Sequence, residues 1–301
     1  MKDFLIGLCP VHRTYAFQRE FRKAGINPIL FDLEDVIYDV EEGPRITRGL
    51  VNRFQDFDCI VSRRFAAQQS LEQVAFFMDV YFRLEDEGVE FINSPRGHLI
   101  CVDKLETLAQ LRKKSITTPR TVALPAYEIE TCTKYFHELG GDILFKPLFG
   151  AKGREIVRIQ DEATLLAVVQ MLERQERIVL LEEFIQTDAS RKSGFFEDLR
   201  LFVADDEVIG AMIRRSQSWI TNIAQTGIPI AFEAAEALQE LALQCCEACQ
   251  LFYGGVDILM SEGTPYVIEV NSFPGWDGLQ RAIKRNVPAR IISKILQHLN
   301  R

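Results

Sequence analysis

A mixed α/β (α+β) fold is predicted by three features of the 301-residue chain. Residues 1 to 94 alternate short apolar strands with amphipathic helices in a βαβ pattern. A strand, glycine loop, strand unit follows in the middle, and the last third is strand-rich before a final amphipathic helix. The length exceeds that of a typical single domain, so two or three compact units are expected. Hydrophobic residues make up 47% and charged residues 26%, as in soluble globular proteins, and no apolar run is long enough to span a bilayer. A net charge of −8 argues against general affinity for nucleic-acid backbones. Seven cysteines without the spacing of a disulfide framework read as free thiols of a reducing compartment. Met1 to Pro10 carries one lysine and a short apolar stretch, so it reads as a first strand and not a signal peptide; a cytoplasmic location is expected.

In order along the chain, Phe4 to Leu8, Ile29 to Leu33, Cys59 to Ser62 and Val89 to Ile92 read as strands, with helices over Tyr15 to Lys23 and Leu71 to Leu84. No Gly-x-Gly-x-x-Gly follows the first strand, which excludes a dinucleotide-binding module. Asn93-Ser94-Pro95 starts a second unit with a helix that carries Asp103-Lys104, runs to about Lys114 and stops before Thr117-Thr118-Pro119. Asp142 to Pro147 reads as a strand that passes through Gly150 and Gly153 into a further strand, Ile156 to Ile159. Residues 163 to 174 read as a helix, 178 to 185 as a buried strand, and 186 to 197 as a polar connection that is a candidate lid. A long helix is predicted over Ala231 to Gln250, and the last over about Pro288 to Leu299.

The chemistry concentrates near the C-terminus. A hairpin folded symmetrically about Gly263 sets Met260 against Tyr266 and Asp257 against Glu269, with Cβ atoms about 5 Å apart. Like charges directly opposite are destabilising, so a cation between them is expected, and period-two alternation adds Asn271 on the same face. Three hard oxygen donors suit Mg²⁺, with Mn²⁺ as a substitute, and not zinc; the bland alternative is an exposed polar hairpin face. Lys146 closes an apolar strand just before Gly150 and Gly153, where backbone amides can approach phosphate oxygens. Most such loops are plain turns, and this one opens into a strand, so it is not a Walker A loop. Glu182 and Glu183 end a buried strand whose exit, with Phe184, could meet a purine. Arg200, Arg214 and Arg215 are cations of the kind phosphoryl transfer needs, although isolated surface arginines are common. Cys245, Cys246 and Cys249 read as core thiols, and no histidine lies in a nucleophile motif.

The series Asp103-Lys104, Lys146 with its glycine loop, Glu183-Phe184-Ile185, Asp198-Leu199-Arg200, Arg214-Arg215, Asn222, Asp257 and Glu269-Val270-Asn271 resembles the ATP-grasp ligases. Within them it is most similar to the RimK-type α-L-glutamate ligases. The resemblance implies an N-terminal Rossmann-like pre-ATP-grasp domain at 1–94 and an ATP-grasp domain at 95–301, the latter with subdomains at about 115–185 and 186–301. It implies that Lys104, Lys146, Gly150, Gly153, Glu183, Phe184, Asp198 and Arg200 hold ATP, that Asp257, Glu269 and Asn271 hold Mg²⁺, and that Arg214, Arg215 and Asn222 serve the reaction. The implied chemistry is attack of an acceptor carboxylate on the γ-phosphate, then capture of the acyl phosphate by the amine of glutamate or another amino acid.

Two residues depart from that pattern: Glu155 beside the glycine loop, and Ile220 where many relatives carry arginine. Ser272 to Gln280 resembles, more narrowly, ligases acting on tetrahydromethanopterin-type pterins, with Trp276 either stacking on a pterin or covering the sheet. A small-molecule acceptor is the first expectation and a protein or peptide C-terminus the second. No nucleic-acid or membrane partner is expected, and a homo-oligomer stays open. The alternative of another class is a nucleotide-binding regulator without ligase activity.

Overall fold

The computed structural model describes residues 4–9, 14–32, 35–47, 54–63, 71–150, 155–223 and 227–301. The chain begins with β1 (Ile6–Cys9), α1 (Thr14–Lys23), β2 (Ile29–Leu30), the hairpin β3 (Val36–Asp39) and β4 (Gly43–Ile46), β5 (Cys59–Ser62), α2 (Leu71–Asp86) and β6 (Glu90–Ile92). Parallel pairing gives the order β2-β1-β5-β6. Every residue of β1 and β5 is buried, because apolar side chains cover both faces. Cys59 and Val61 enter a cluster with Phe17 and Phe21, whereas Ile60 enters one with Phe77 and Tyr81. The expected strands and helices of this region are present; the β3–β4 hairpin was not foreseen.

The middle of the chain forms α3 (Pro95–Val102), α4 (Lys104–Lys113), β7 (Thr121–Pro125), α5 (Ile129–Glu138), β8 (Ile143–Lys146), β9 (Val157–Ile159), α6 (Glu162–Glu173) and β10 (Ile178–Glu183). The single helix expected over 95–114 is two. Asp103 leaves helical geometry (φ −92°, ψ 108°) and caps α4 by accepting from Leu105 N and Glu106 N. Its backbone bridges to Phe149, so the break lays Lys104 beside the glycine loop. The antiparallel sheet β7-β10-β8-β9 is covered on one face by α5 and α6, whose Cys132, Phe136, Leu165 and Val169 pack on Phe145 and Leu181.

The remainder comprises α7 (Asp188–Ser193), β11 (Phe196–Ala204), β12 (Glu207–Ser216), β13 (Ile228–Phe232), α8 (Glu236–Ala248), β14 (Tyr253–Ser261), β15 (Thr264–Asn271), α9 (Asp277–Ile283) and α10 (Val287–Leu299). Two expectations are corrected. The polar stretch 186–197 holds a short helix capped by Thr187, and the long helix begins at Glu236 because Ile228–Phe232 pairs as an edge strand. The antiparallel order is β13-β12-β11-β14-β15, with α8 on one face and α9 and α10 on the other. One apolar cluster joins Ile6, Leu8 and Phe17 to Phe202, Tyr253 and Ile291, and the buried Asn93 amide binds Tyr253 and Ser272 across the same junction. No helix of the described residues is long and apolar enough to cross a membrane.

Candidate active site

A cleft of about 940 Å³ of empty space, partly open to solvent, separates the β7-β10-β8-β9 sheet from the β13-β12-β11-β14-β15 sheet. Strand alternation builds its upper wall. Ile143 and Phe145 point to the helices, so Leu144 and Lys146 point into the cleft; Val179 and Leu181 likewise leave Glu182 facing it. Lys146 Nζ lies 2.6 Å from Glu182 Oε1 in a nearly dry ion pair. Lys104 reaches over from α4 and donates to the Gly150 carbonyl at 3.2 Å. Burial and the neighbouring Lys146 push the Lys104 ammonium below its ordinary pKa, against the opposing pull of Glu269 and Glu182.

The lower wall is a set of cross-strand charge pairs. Register places Asp198 opposite Arg214, Arg200 opposite Asp257, and Asp257 opposite Glu269. Arg214 donates through Nε to Asp198 at 2.6 Å and through Nη2 to both Asp198 and Asp257, the latter at 2.8 Å. Arg200 grips Asp257 with Nε and Nη2, both at 2.5 Å, and Thr221 Oγ1 donates to Asp198 at 2.6 Å. Burial raises the Asp257 carboxyl's pKa, but Arg200 and then Arg214 outweigh it and hold the group below its ordinary range. Asp198 with Arg214 and Asp257 with Arg200 make two neutral pairs, so Asp257 is ionised and compensated.

This corrects the charge argument made from the hairpin. Asp257 and Glu269 do face each other, yet the cations beside Asp257 are guanidinium groups, so repulsion alone does not call for a metal ion. The hairpin is also not symmetric. Glu262 and Gly263, both at positive φ, form a two-residue turn, Met260 pairs with Pro265, and a bulge at Ile268 restores the Asp257–Glu269 register. The bulge lets the consecutive residues Ile268 and Glu269 both line the cleft.

The donor chemistry still fits a hard divalent cation. Three of the lone-pair positions on Asp257 are taken by arginines, which leaves one on Oδ1; Glu269 lines the cleft; and Asn271, two residues on along the same strand and outside the cleft lining, carries a side-chain carbonyl oxygen of the kind such a cation takes. No cluster of three or more His, Cys, Asp or Glu suited to a metal occurs among the described residues.

Of the residues singled out by sequence, the cleft brings together Lys104, Lys146, Gly150, Phe184, Asp198, Arg214, Asn222, Asp257 and Glu269. Arg200 stands behind Asp257. Glu183 turns to the other face of β10 and accepts from Arg120 N at 2.7 Å, because Glu182 takes the cleft side. Arg215 is adjacent to Arg214 on β12, so it projects from the other face of the strand; it pairs with Glu197 and does not line the cleft. Gly153 lies outside the described residues. Glu155 beside the glycine loop pairs with Arg177 at 3.1 Å, so its charge is met by a cation. Trp276 is 3% exposed, stacked on Phe17 at 5.0 Å and capped by Arg63, so it packs the core as its covering alternative required. Glu182, one of the two acids noted at this strand exit, meets Lys146, whereas Trp219 and Thr221, together with apolar Ile156, Leu259 and Ile268, were not foreseen in the cleft.

Comparison with known proteins gives a consistent picture. The RimK-like ATP-grasp domain family matches residues 68–295. Tetrahydromethanopterin:alpha-L-glutamate ligase of Methanococcus maripaludis is 36% identical over 288 residues, covering 95% of this chain and 94% of that protein. Coenzyme gamma-F420-2:alpha-L-glutamate ligase of Methanocaldococcus jannaschii is 31% identical over 219 residues, covering 71% and 73%. Among solved structures, the ATP-grasp ligase PsnB complexed with minimal precursor, Mg and ADP superposes with a TM-score of 0.73 at 18% identity, covering 99% of this chain and 98% of that one.

Proposed function

The chain belongs to the RimK-like ATP-grasp family, and from that premise we propose an ATP- and Mg²⁺-dependent ligase that joins L-glutamate to a carboxylate of a small-molecule acceptor, a reduced pterin of tetrahydromethanopterin type. The observation that carries this reading is the cleft itself: lysines and a glycine loop at one side, an oxygen donor set at the other, and an apolar wall between them. The acceptor is supported by the tetrahydromethanopterin:alpha-L-glutamate ligase of Methanococcus maripaludis, 36% identical to this chain over 288 residues.

In this reading the two sheets hold ATP between them. Lys146 and Lys104 meet phosphate oxygens, while Leu144, Ile156, Phe184 and Leu259 bury the base. Asp257 Oδ1, Glu269 and Asn271 would hold the magnesium ion, which supplies Lewis-acid neutralisation of phosphate charge when bound. An acceptor carboxylate oxygen attacks the γ-phosphorus and ADP leaves; the glutamate amine then attacks the acyl carbon, expelling phosphate and losing a proton. The protein's share is positioning and preorganised charge. Arg214, chelated by two aspartates, keeps the lower wall rigid and presents its remaining N–H groups to the cleft. Asn222 lies at the mouth with Ile220, on the loop that Thr221 anchors to Asp198.

The test is ADP release with Mg²⁺, ATP and glutamate against a panel of pterin, deazaflavin and peptide acceptors, with products followed by mass. Pterin-dependent ADP with a glutamyl increment is expected. Turnover confined to a peptide would replace the acceptor assignment.

A further inference from the structure

We propose that Arg158 is a positioning residue for the purine of ATP, acting through Phe184; the inference rests on the cleft being the nucleotide site. Phe184 follows the last residue of β10 and lines the cleft. At a strand exit its ring would be free to turn about two side-chain bonds. It is instead held on several sides. The Arg158 guanidinium carbon lies 3.6 Å from the ring centroid, and Trp219 and Phe196 meet the ring edge-on at 6.5 and 6.3 Å.

Arg158 is itself fixed. Asp142 accepts from its Nε at 2.8 Å and its Nη2 at 2.5 Å, a bidentate grip that sets the guanidinium plane, and Gln160 donates to the same carboxylate at 3.3 Å. The Asp142 carbonyl also accepts from the Phe184 N–H at 3.0 Å. One residue therefore fixes both the backbone that carries the ring and the cation that covers it. Arg158 does not line the cleft, so it touches the nucleotide only through the ring. A guanidinium, charged at every working pH, draws on the negative ring face and holds the aromatic plane of the wall constant. The bland alternative is an ordinary ion pair between β9 and the start of β8, which would support the sheet and leave the ligand untouched.

The two are separated by comparing ATP with inorganic tripolyphosphate, which lacks the purine. In Arg158→Met, ATP binding should weaken about five- to tenfold, the KM for ATP should rise in step and kcat should hold. Tripolyphosphate affinity should stay at the wild-type value. Arg158→Lys should recover part of the loss, and Phe184→Leu combined with Arg158→Met should lose no more than Phe184→Leu alone. Unchanged ATP affinity with a lowered melting temperature, or equal weakening of both ligands, overturns the proposal. Wild-type protein that binds tripolyphosphate but shows no preference for ATP would overturn the nucleotide reading beneath it.

Discussion

Replacing Arg200 by Met tests whether arginine, and not metal, balances the carboxylate at the centre of the lower wall. The side chain is 12% exposed and Asp257 1%, and the substitution removes two charge-assisted bonds of 2.5 Å while keeping the aliphatic stem. Such bonds contribute about 1.5–3 kcal/mol each, and breaking a buried pair from one side costs about 3–5 kcal/mol. Arg214 still reaches Asp257 at 2.8 Å, which caps the loss near the lower end, about 3 kcal/mol. Urea denaturation of wild type, Arg200→Met, Asp257→Asn and the double variant, all without Mg²⁺, gives the coupling, expected at about 2 kcal/mol. A loss below about 1 kcal/mol with coupling near zero would show that Arg200 does not balance Asp257 and would reinstate the need for another cation between Asp257 and Glu269.

Three further outcomes follow from the same geometry. Gly227→Ala would place a Cβ 1.9 Å from the Thr221 carbonyl oxygen, whereas real contacts do not close below about 3.0 Å. The loop bearing Asn222 must then move by more than 1 Å, and kcat/KM should fall about 100-fold in a folded protein; near-wild-type kinetics would show that the loop does not position the reactants. Because the Lys104 ammonium sits below its ordinary 10.5, mainly through burial, its proton leaves earlier as pH rises. ATP affinity should therefore begin to decline at a pH below that at which an ordinary lysine loses its proton, a limb absent from Lys104→Met and shifted upward in Lys104→Arg; an unaltered limb in both variants counts against the assignment. The sign for stability is the reverse, since a lysine depressed in the fold disfavours the folded state while protonated. Trp276→Ala should cost about 3–5 kcal/mol in denaturant titration, because the ring is buried between Phe17 and Arg63; a stable variant with a raised KM for the acceptor would return Trp276 to the substrate.

Much of the architecture is legible where burial is uniform. Cys59–Ser62, apolar on both faces, could only be an interior strand, and Val287–Leu299 has an unbroken helical stripe. What escaped depends on short or polar elements stabilised by tertiary contacts: β3 and β4 with Gly43-Pro44, and the six-residue α7. The Asp103 cap was a local cue that a continuous helical pattern masked. Alternation sufficed to turn Lys146 away from the helices, whereas the Asp257–Glu269 pairing came from a symmetric register that the turn at Glu262-Gly263 breaks and the bulge at Ile268 restores; alternation has no phase of its own, so it could not choose between Glu182 and Glu183 or separate Arg214 from Arg215. The pairing of Arg200 with Asp257 links positions 57 residues apart and depends on the register of β11 against β14, which no local pattern encodes.

Isotope transfer reports whether the acceptor carboxylate is activated in this cleft as an acyl phosphate. The pterin acceptor would carry ¹⁸O in its reacting carboxylate, in a reaction with Mg²⁺, ATP and glutamate. One ¹⁸O in the released phosphate, alongside ADP and the glutamyl product, is the predicted result. Unlabelled phosphate, or AMP and pyrophosphate in place of ADP, would exclude an acyl phosphate formed from the γ-phosphate.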